Sequence, residues 1–116
     1  MYSQNSRWRS KRGNLIAAIL LAASTSGYAG GSAPVEVEIQ GFKFIPQEIT
    51  VKAGTTIRWS NREKRQYHSV WFEQAGDPEP GYFFPGESYE RSFDKPGVYP
   101  YHCGPHPEMT GTVIVE

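Results

Sequence analysis

The last twenty residues read GVYPYHCGPHPEMTGTVIVE, positions 97–116. Two runs rich in aromatic and β-branched residues, 98–103 and 110–115, flank the loop 104–109. Such residues suit a pleated, half-buried surface, so the stretch reads as strand, loop, strand. Pro100 has no N–H to give a ladder, which places it at an edge or irregular position. Upstream, 35–39 alternates apolar and polar residues as a half-buried strand does. The runs 49–52, 55–60, 68–73 and 88–93 are further strand candidates, separated by the turn signals Ala53-Gly54, Pro85-Gly86 and Pro96-Gly97. About seven short strands without helical periodicity predict an all-β fold, a Greek-key β-sandwich of two sheets. The longest loop is expected over 74–84.

The first third of the chain differs in kind. Arg7, Arg9, Lys11 and Arg12 precede the apolar run 15–23, and Gly27-Tyr28-Ala29 offers small residues for a cleavage site. A cationic start, an apolar block and a small-residue cut together predict a secretory signal peptide over 1–29, followed by one domain over 30–116. A disordered basic tail would lack the apolar block. Nine apolar residues are about half of what a bilayer crossing requires, so no permanent membrane anchor is expected. The whole chain carries twelve basic and twelve acidic residues; without the leader eight basic and twelve acidic remain, a net of −4. Such a balance gives no reason to expect a nucleic-acid partner.

Cys103 is the single cysteine, so no disulfide can form within the chain. A lone cysteine in a sandwich is commonly a small buried hydrophobe. In an exported protein, however, a free thiol is exposed to oxidation, and metal ligation both explains and protects it. Cys103, His106 and Met109 stand at C-x2-H-x2-M. A thiolate, an imidazole and a thioether on one tight loop suit copper better than hard cations. His68, 35 residues earlier, supplies a second imidazole if the sandwich brings the two strand ends together. Two histidines and a cysteine with a weak axial methionine form the blue-copper set, so the predicted metal ligands are His68, Cys103, His106 and Met109, around one type 1 copper ion. Zinc would prefer a harder ligand than methionine. With all four positions taken by side chains, no place remains for substrate, and an enzyme is not expected. A cysteine hydrolase would need an oriented base and a cleft. A copper-holding or copper-delivery protein is the alternative, using similar soft ligands in an open site.

The stretch 41–116 resembles the cupredoxins, the type 1 blue copper proteins. Within their plastocyanin-like group Tyr101-His102-Cys103-Gly104-Pro105-His106-Pro107-Glu108-Met109 is most similar to the amicyanins, which keep two residues between histidine and methionine. Gly41-Phe42-Lys43-Phe44-Ile45-Pro46, Ala53-Gly54-Thr55 and Trp59-Ser60-Asn61-Arg62-Glu63 match the family's earlier strands. The resemblance implies the same four ligands, an electron carrier of the bacterial periplasm, and a monomer. The expected partners are redox proteins, such as a c-type cytochrome, a dehydrogenase or a reductase, with none singled out by the resemblance. It further implies that Asn61 fastens the ligand loops by a hydrogen bond near the cysteine. Three features depart from the pattern: Asn61 lies seven residues before His68, one more than is typical, Tyr67 replaces a proline, and Ser69 replaces an asparagine.

Strand alternation turns His102 away from the face of Cys103, as a surface histidine. Tyr99 and Tyr101 share the parity of Cys103 and are expected in the core, one of them as a tyrosine corner after Asp94-Lys95-Pro96-Gly97. Trp59, Trp71 and Phe72 are expected to pack. Arg62, Lys64 and Arg65 form a basic stretch, opposed by Glu73, Asp77 and Glu79, either solvated or used in docking. Some of Phe42, Phe44, Pro46, Tyr82, Phe83 and Phe84 are expected to form an apolar apron around His106. Pro105 and Pro107 should stiffen its loop, and Glu108 should make the nearby surface anionic.

Overall fold

The computed structural model describes residues 33–116, so the expected leader and its cut after Ala29 lie outside the described residues. Seven strands follow one another: β1 (Val35–Gln40), β2 (Lys43–Ile45), β3 (Glu48–Val51), β4 (Thr55–Asn61), β5 (Ser88–Phe93), β6 (Gly97–His102) and β7 (Thr110–Val115). They form a four-stranded sheet in the order β2-β1-β4-β5 and a three-stranded sheet in the order β3-β7-β6. β1 runs parallel to β4, with Val37 opposite Trp59 and Ile39 opposite Asn61. β3 likewise runs parallel to β7. This is the all-β sandwich of two sheets that the strand spacing predicts.

Alternation decides which face of each strand is covered. On β1, Val37 and Ile39 are wholly buried while Glu36 and Glu38 face solvent; on β4, Ile57, Trp59 and Asn61 point inward. Trp59 sits between the layers, with edge contacts to Phe72 and Tyr101. Its Nε1–H donates to the Tyr101 hydroxyl at 3.1 Å, so the indole satisfies its one polar group while its ring fills the core. Tyr99 lies half-buried and donates its hydroxyl to the Lys95 carbonyl at 2.7 Å, the expected tyrosine corner. Pro100 stands on β6, which ends its sheet, as its missing N–H requires.

Two elements differ from the reading of the sequence. The run 68–73 forms no strand. The chain leaves the first sheet after Asn61, bridges Phe83 through His68 and β6 through Trp71, and makes a 3₁₀ turn at Glu73–Ala75 before β5. The segment pairs once with its own connection, at His68 and Phe83, and once with the edge strand β6, at Trp71 and His102, too few residues in a row to make a strand. β2, by contrast, is a strand that propensity alone hardly marks. It pairs with β1 across the two-residue turn Gly41-Phe42, where φ is +63° and +59°, so that Gln40 faces Lys43. Two successive positive φ values define the primed hairpin turn whose twist matches that of its strands.

Candidate metal centre

Three side chains from two distant stretches meet beyond the end of β6. Cys103 follows that strand directly and His68 lies in the long β4–β5 connection, and both are 0% exposed. His106, in the loop after Cys103, is half-buried. Their ligand atoms lie within 4.8 Å of one another. Sγ of Cys103 stands 3.6 Å from Nδ1 of His68 and 3.5 Å from Nδ1 of His106.

Backbone pairing positions His68: its N–H donates to the Phe83 carbonyl at 3.1 Å, and the Phe83 N–H returns a bond at 2.9 Å. Asn61 braces the approach. Its Nδ2 donates to the carbonyls of Gln66 (2.9 Å) and Phe83 (3.1 Å), and its Oδ1 accepts the Glu63 N–H at 2.9 Å. The expectation that Asn61 bonds near the cysteine is therefore corrected. At the end of β4 its side chain is engaged by the backbone of Glu63, Gln66 and Phe83, and Ser69 joins the two ligand stretches instead. The Ser69 N–H donates to Cys103 Sγ at 3.3 Å, and its Oγ accepts the Gly104 N–H at 2.8 Å.

The carboxylate of Glu63, which the sequence does not mark as special, reaches His68 from behind. Its Oε2 lies 3.1 Å from His68 Nε2 and accepts the Phe42 N–H at 2.8 Å. Burial alone would raise the Glu63 carboxyl, but the Phe42 N–H, the His68 ring and the Gly41 N–H together hold it below the ordinary carboxylate range. Burial also pushes His68 below the ordinary imidazole value, against the pull of Glu63. A neutral ring with its proton on Nε2 leaves the Nδ1 lone pair facing the sulfur. Burial pushes the Cys103 thiol up, and the Ser69 N–H and His106 offset part of this. A cation among these three groups would deprotonate the thiol outright.

Met109 closes the loop. Its N–H donates to the His106 carbonyl at 2.9 Å, and its carbonyl accepts the Cys103 N–H at 3.0 Å. The side chain is 3% exposed. His102 is kept apart, as its parity predicts: its ring packs on Trp71 at 5.1 Å, and Nε2 lies 3.6 Å from Glu73. The expected apron is partly corrected. Phe44 and Phe83 are buried in the core, whereas Phe42, Tyr82 and Phe84 are exposed together with Tyr67, which the sequence reading omits. Phe42 sets its ring edge-on to His68 at 5.5 Å and to His106 at 4.9 Å. The acids expected to oppose the basic stretch turn elsewhere: Asp77 pairs with Arg91 at 2.7 Å and Glu73 approaches His102.

The donor set fits a soft, readily redox-active ion. One sulfur and two imidazole nitrogens converge from a buried side, with Sγ 3.6 and 3.5 Å from the two Nδ1 atoms, so that one ion could be held by all three, and a thiolate with two imidazoles is a donor set suited to copper. A two-sheet sandwich with a His-Cys-His cluster at one end defines a type 1 copper protein. The model of the copper binding proteins of the plastocyanin/azurin family matches residues 32–116, and the chain belongs to that family. It is 36% identical over 105 residues to amicyanin-alpha of Methylorubrum extorquens, covering 87% of this chain and 85% of that protein. It is 40% identical over 88 residues to amicyanin of Paracoccus versutus, covering 71% of this chain and 64% of that protein. Among solved structures, amicyanin from Paracoccus versutus superposes with a TM-score of 0.66 at 36% identity, over 76% of this chain and 89% of that one.

Proposed function

We propose that this type 1 copper protein carries single electrons between redox proteins in the periplasm, with His68, Cys103, His106 and Met109 as the copper ligands. The observation that carries the reading is the close approach of one sulfur to two Nδ1 atoms, at 3.6 and 3.5 Å, with Cys103 and His68 wholly buried. Bound copper supplies the Cu(I)/Cu(II) couple. The chain's own groups set the conditions for that couple. Glu63 fixes the ring of His68, the Ser69 N–H supports the thiolate, and the backbone bonds between Cys103, His106 and Met109 hold the loop. Little has to move when charge arrives or leaves. His106, half-buried between Phe42 and Tyr67, brings the cluster nearest the surface and is the door for electrons.

Burial of two of the three grouped side chains favours a carrier over a delivery protein, which needs a site that a receiver can open, and over an enzyme, which needs a free position for substrate. The periplasmic assignment rests on the leader expected over 1–29. No helix among the described residues is long and apolar enough to cross a membrane. The copper-loaded chain is expected to be intensely blue, to show the paramagnetic signal of type 1 copper, and to be reversibly reduced by one electron. Cys103→Ser should abolish the colour. A colourless, readily exchanged Cu(I) form with no stable Cu(II) state would instead establish copper delivery.

A further inference from the structure

Nothing in the sequence separates Glu79 from the other acids of the β4–β5 connection. The structure does. Asp77 and Glu73 are engaged by Arg91 and His102, whereas Glu79 lays its carboxylate in a notch at Gly104, the residue after Cys103. A Cβ added at Gly104 would stand 2.5 Å from Glu79 Oε2 and 2.9 Å from Ser69 Oγ, so glycine there is what leaves the carboxylate its place. The same Oε2 accepts the Tyr82 hydroxyl at 3.4 Å. The Tyr82 ring stacks on Tyr67 with centroids 5.1 Å apart and planes 5° apart, and the Tyr67 ring lies 6.3 Å from that of His106. A line of contacts therefore runs over the surface from Gly104 to His106, through Glu79, Tyr82 and Tyr67, without using a ligand bond.

We propose that Glu79, seated in the Gly104 notch, is a positioning residue for electron transfer, fixing the Tyr82–Tyr67 stack beside His106 before a partner arrives. The inference rests on the reading of His106 as the electron door. Tyr67 is 40% and Tyr82 46% exposed, and rings so open would otherwise sample several rotamers. Anchoring Tyr82 by its hydroxyl moves the entropic cost of ordering both rings from the encounter to folding. The carboxylate also places a negative charge on this face, which by itself would slow approach between two copies. Removing Glu79 thus acts in opposite directions through charge and through order, and this makes the two separable.

The test uses the copper-loaded full chain, reading the ring-proton shifts of Tyr67 and Tyr82 in its Cu(I) form and the electron self-exchange rate in mixtures of its Cu(I) and Cu(II) forms, both by nuclear magnetic resonance. Glu79→Ala is expected to move both tyrosine ring resonances toward their unstructured positions and to slow self-exchange several-fold while the oxidised form keeps its blue absorption. Glu79→Gln keeps the shape and an acceptor for Tyr82, and should restore the ring shifts and an exchange rate at or above that of the unaltered protein. Unchanged ring shifts in Glu79→Ala, or equal rate changes in Glu79→Ala and Glu79→Gln, would overturn the proposal. Failure of the carrier reading is distinguishable, because it would remove the blue colour of the unaltered chain, while ring shifts of the copper-free chain would still report where Glu79 sits.

Discussion

Phe42 occupies the left-handed region at φ +59°, which costs a residue with a Cβ about 1–2 kcal/mol. Two contacts offset that cost: its N–H donates to the Glu63 carboxylate, and its ring edge rests against both imidazoles. Replacing the ring without relieving the backbone separates them. Phe42→Gly is expected to be more stable than Phe42→Ala by about 1 kcal/mol, although glycine is the smaller residue, as denaturant midpoints of the copper-free protein would show. At Ser69 the side chain and the main chain do different work. Ser69→Ala leaves the Gly104 N–H without its acceptor, for a loss of about 1–3 kcal/mol in the same measurement, yet keeps the blue absorption because the bond to Sγ comes from the backbone. The sequence marks Ser69 only as a departure from the family pattern and does not mark Glu63, and it shows the task of neither. A carboxylate or hydroxyl acquires its task from partners brought in by folding, and Gly104 lies 35 residues from Ser69.

Strands whose faces are unequally covered declare themselves by alternation, as β1 does, whereas the other runs are marked by their β-branched and aromatic residues. β7 lies in the middle of its sheet, where Gly111 faces Tyr101 on β6. A Cβ at Gly111 would overlap the Tyr101 ring, so Gly111→Ala should cost about 1–3 kcal/mol by overpacking, seen as a lower urea midpoint with the slope unchanged. The connection between β4 and β5 is the part that sequence describes least well. Its apolar residues at 68–73 suggest a strand, but they serve three different surroundings: His68 faces the metal cluster, Val70 and Phe72 enter the core, and Trp71 touches the edge of β6. Residues of like propensity serving different neighbours leave no period to read.

For the molecule as a whole, Trp59 on β4 meets Tyr101 on β6 across the two sheets, one of the contacts through which the layers pack. Burial pushes the Tyr101 hydroxyl from 10.0 up to about 12, while the Trp59 N–H pulls the other way. The folded chain therefore holds this proton more tightly than the unfolded one. The contribution is complete below pH 10 and is lost as pH rises toward 12, up to about 3 kcal/mol. Unfolding of the copper-free protein followed from pH 9 to 12 should show this decline, and in Tyr101→Phe that part of the decline should be absent. Donor types, the C-x2-H-x2-M spacing, the inward face of β1 and the parity of Tyr99, Tyr101 and Cys103 are legible in the amino-acid order, because covalent spacing and alternation are properties of neighbouring residues. Folding alone brings His68 to Cys103, sets Glu63 and Ser69 behind the cluster, buries Phe44 and Phe83, and lays Glu79 in the notch at Gly104. These depend on how the β4–β5 connection crosses between the sheets, and contacts between distant residues are fixed by packing of the whole chain rather than by any local pattern.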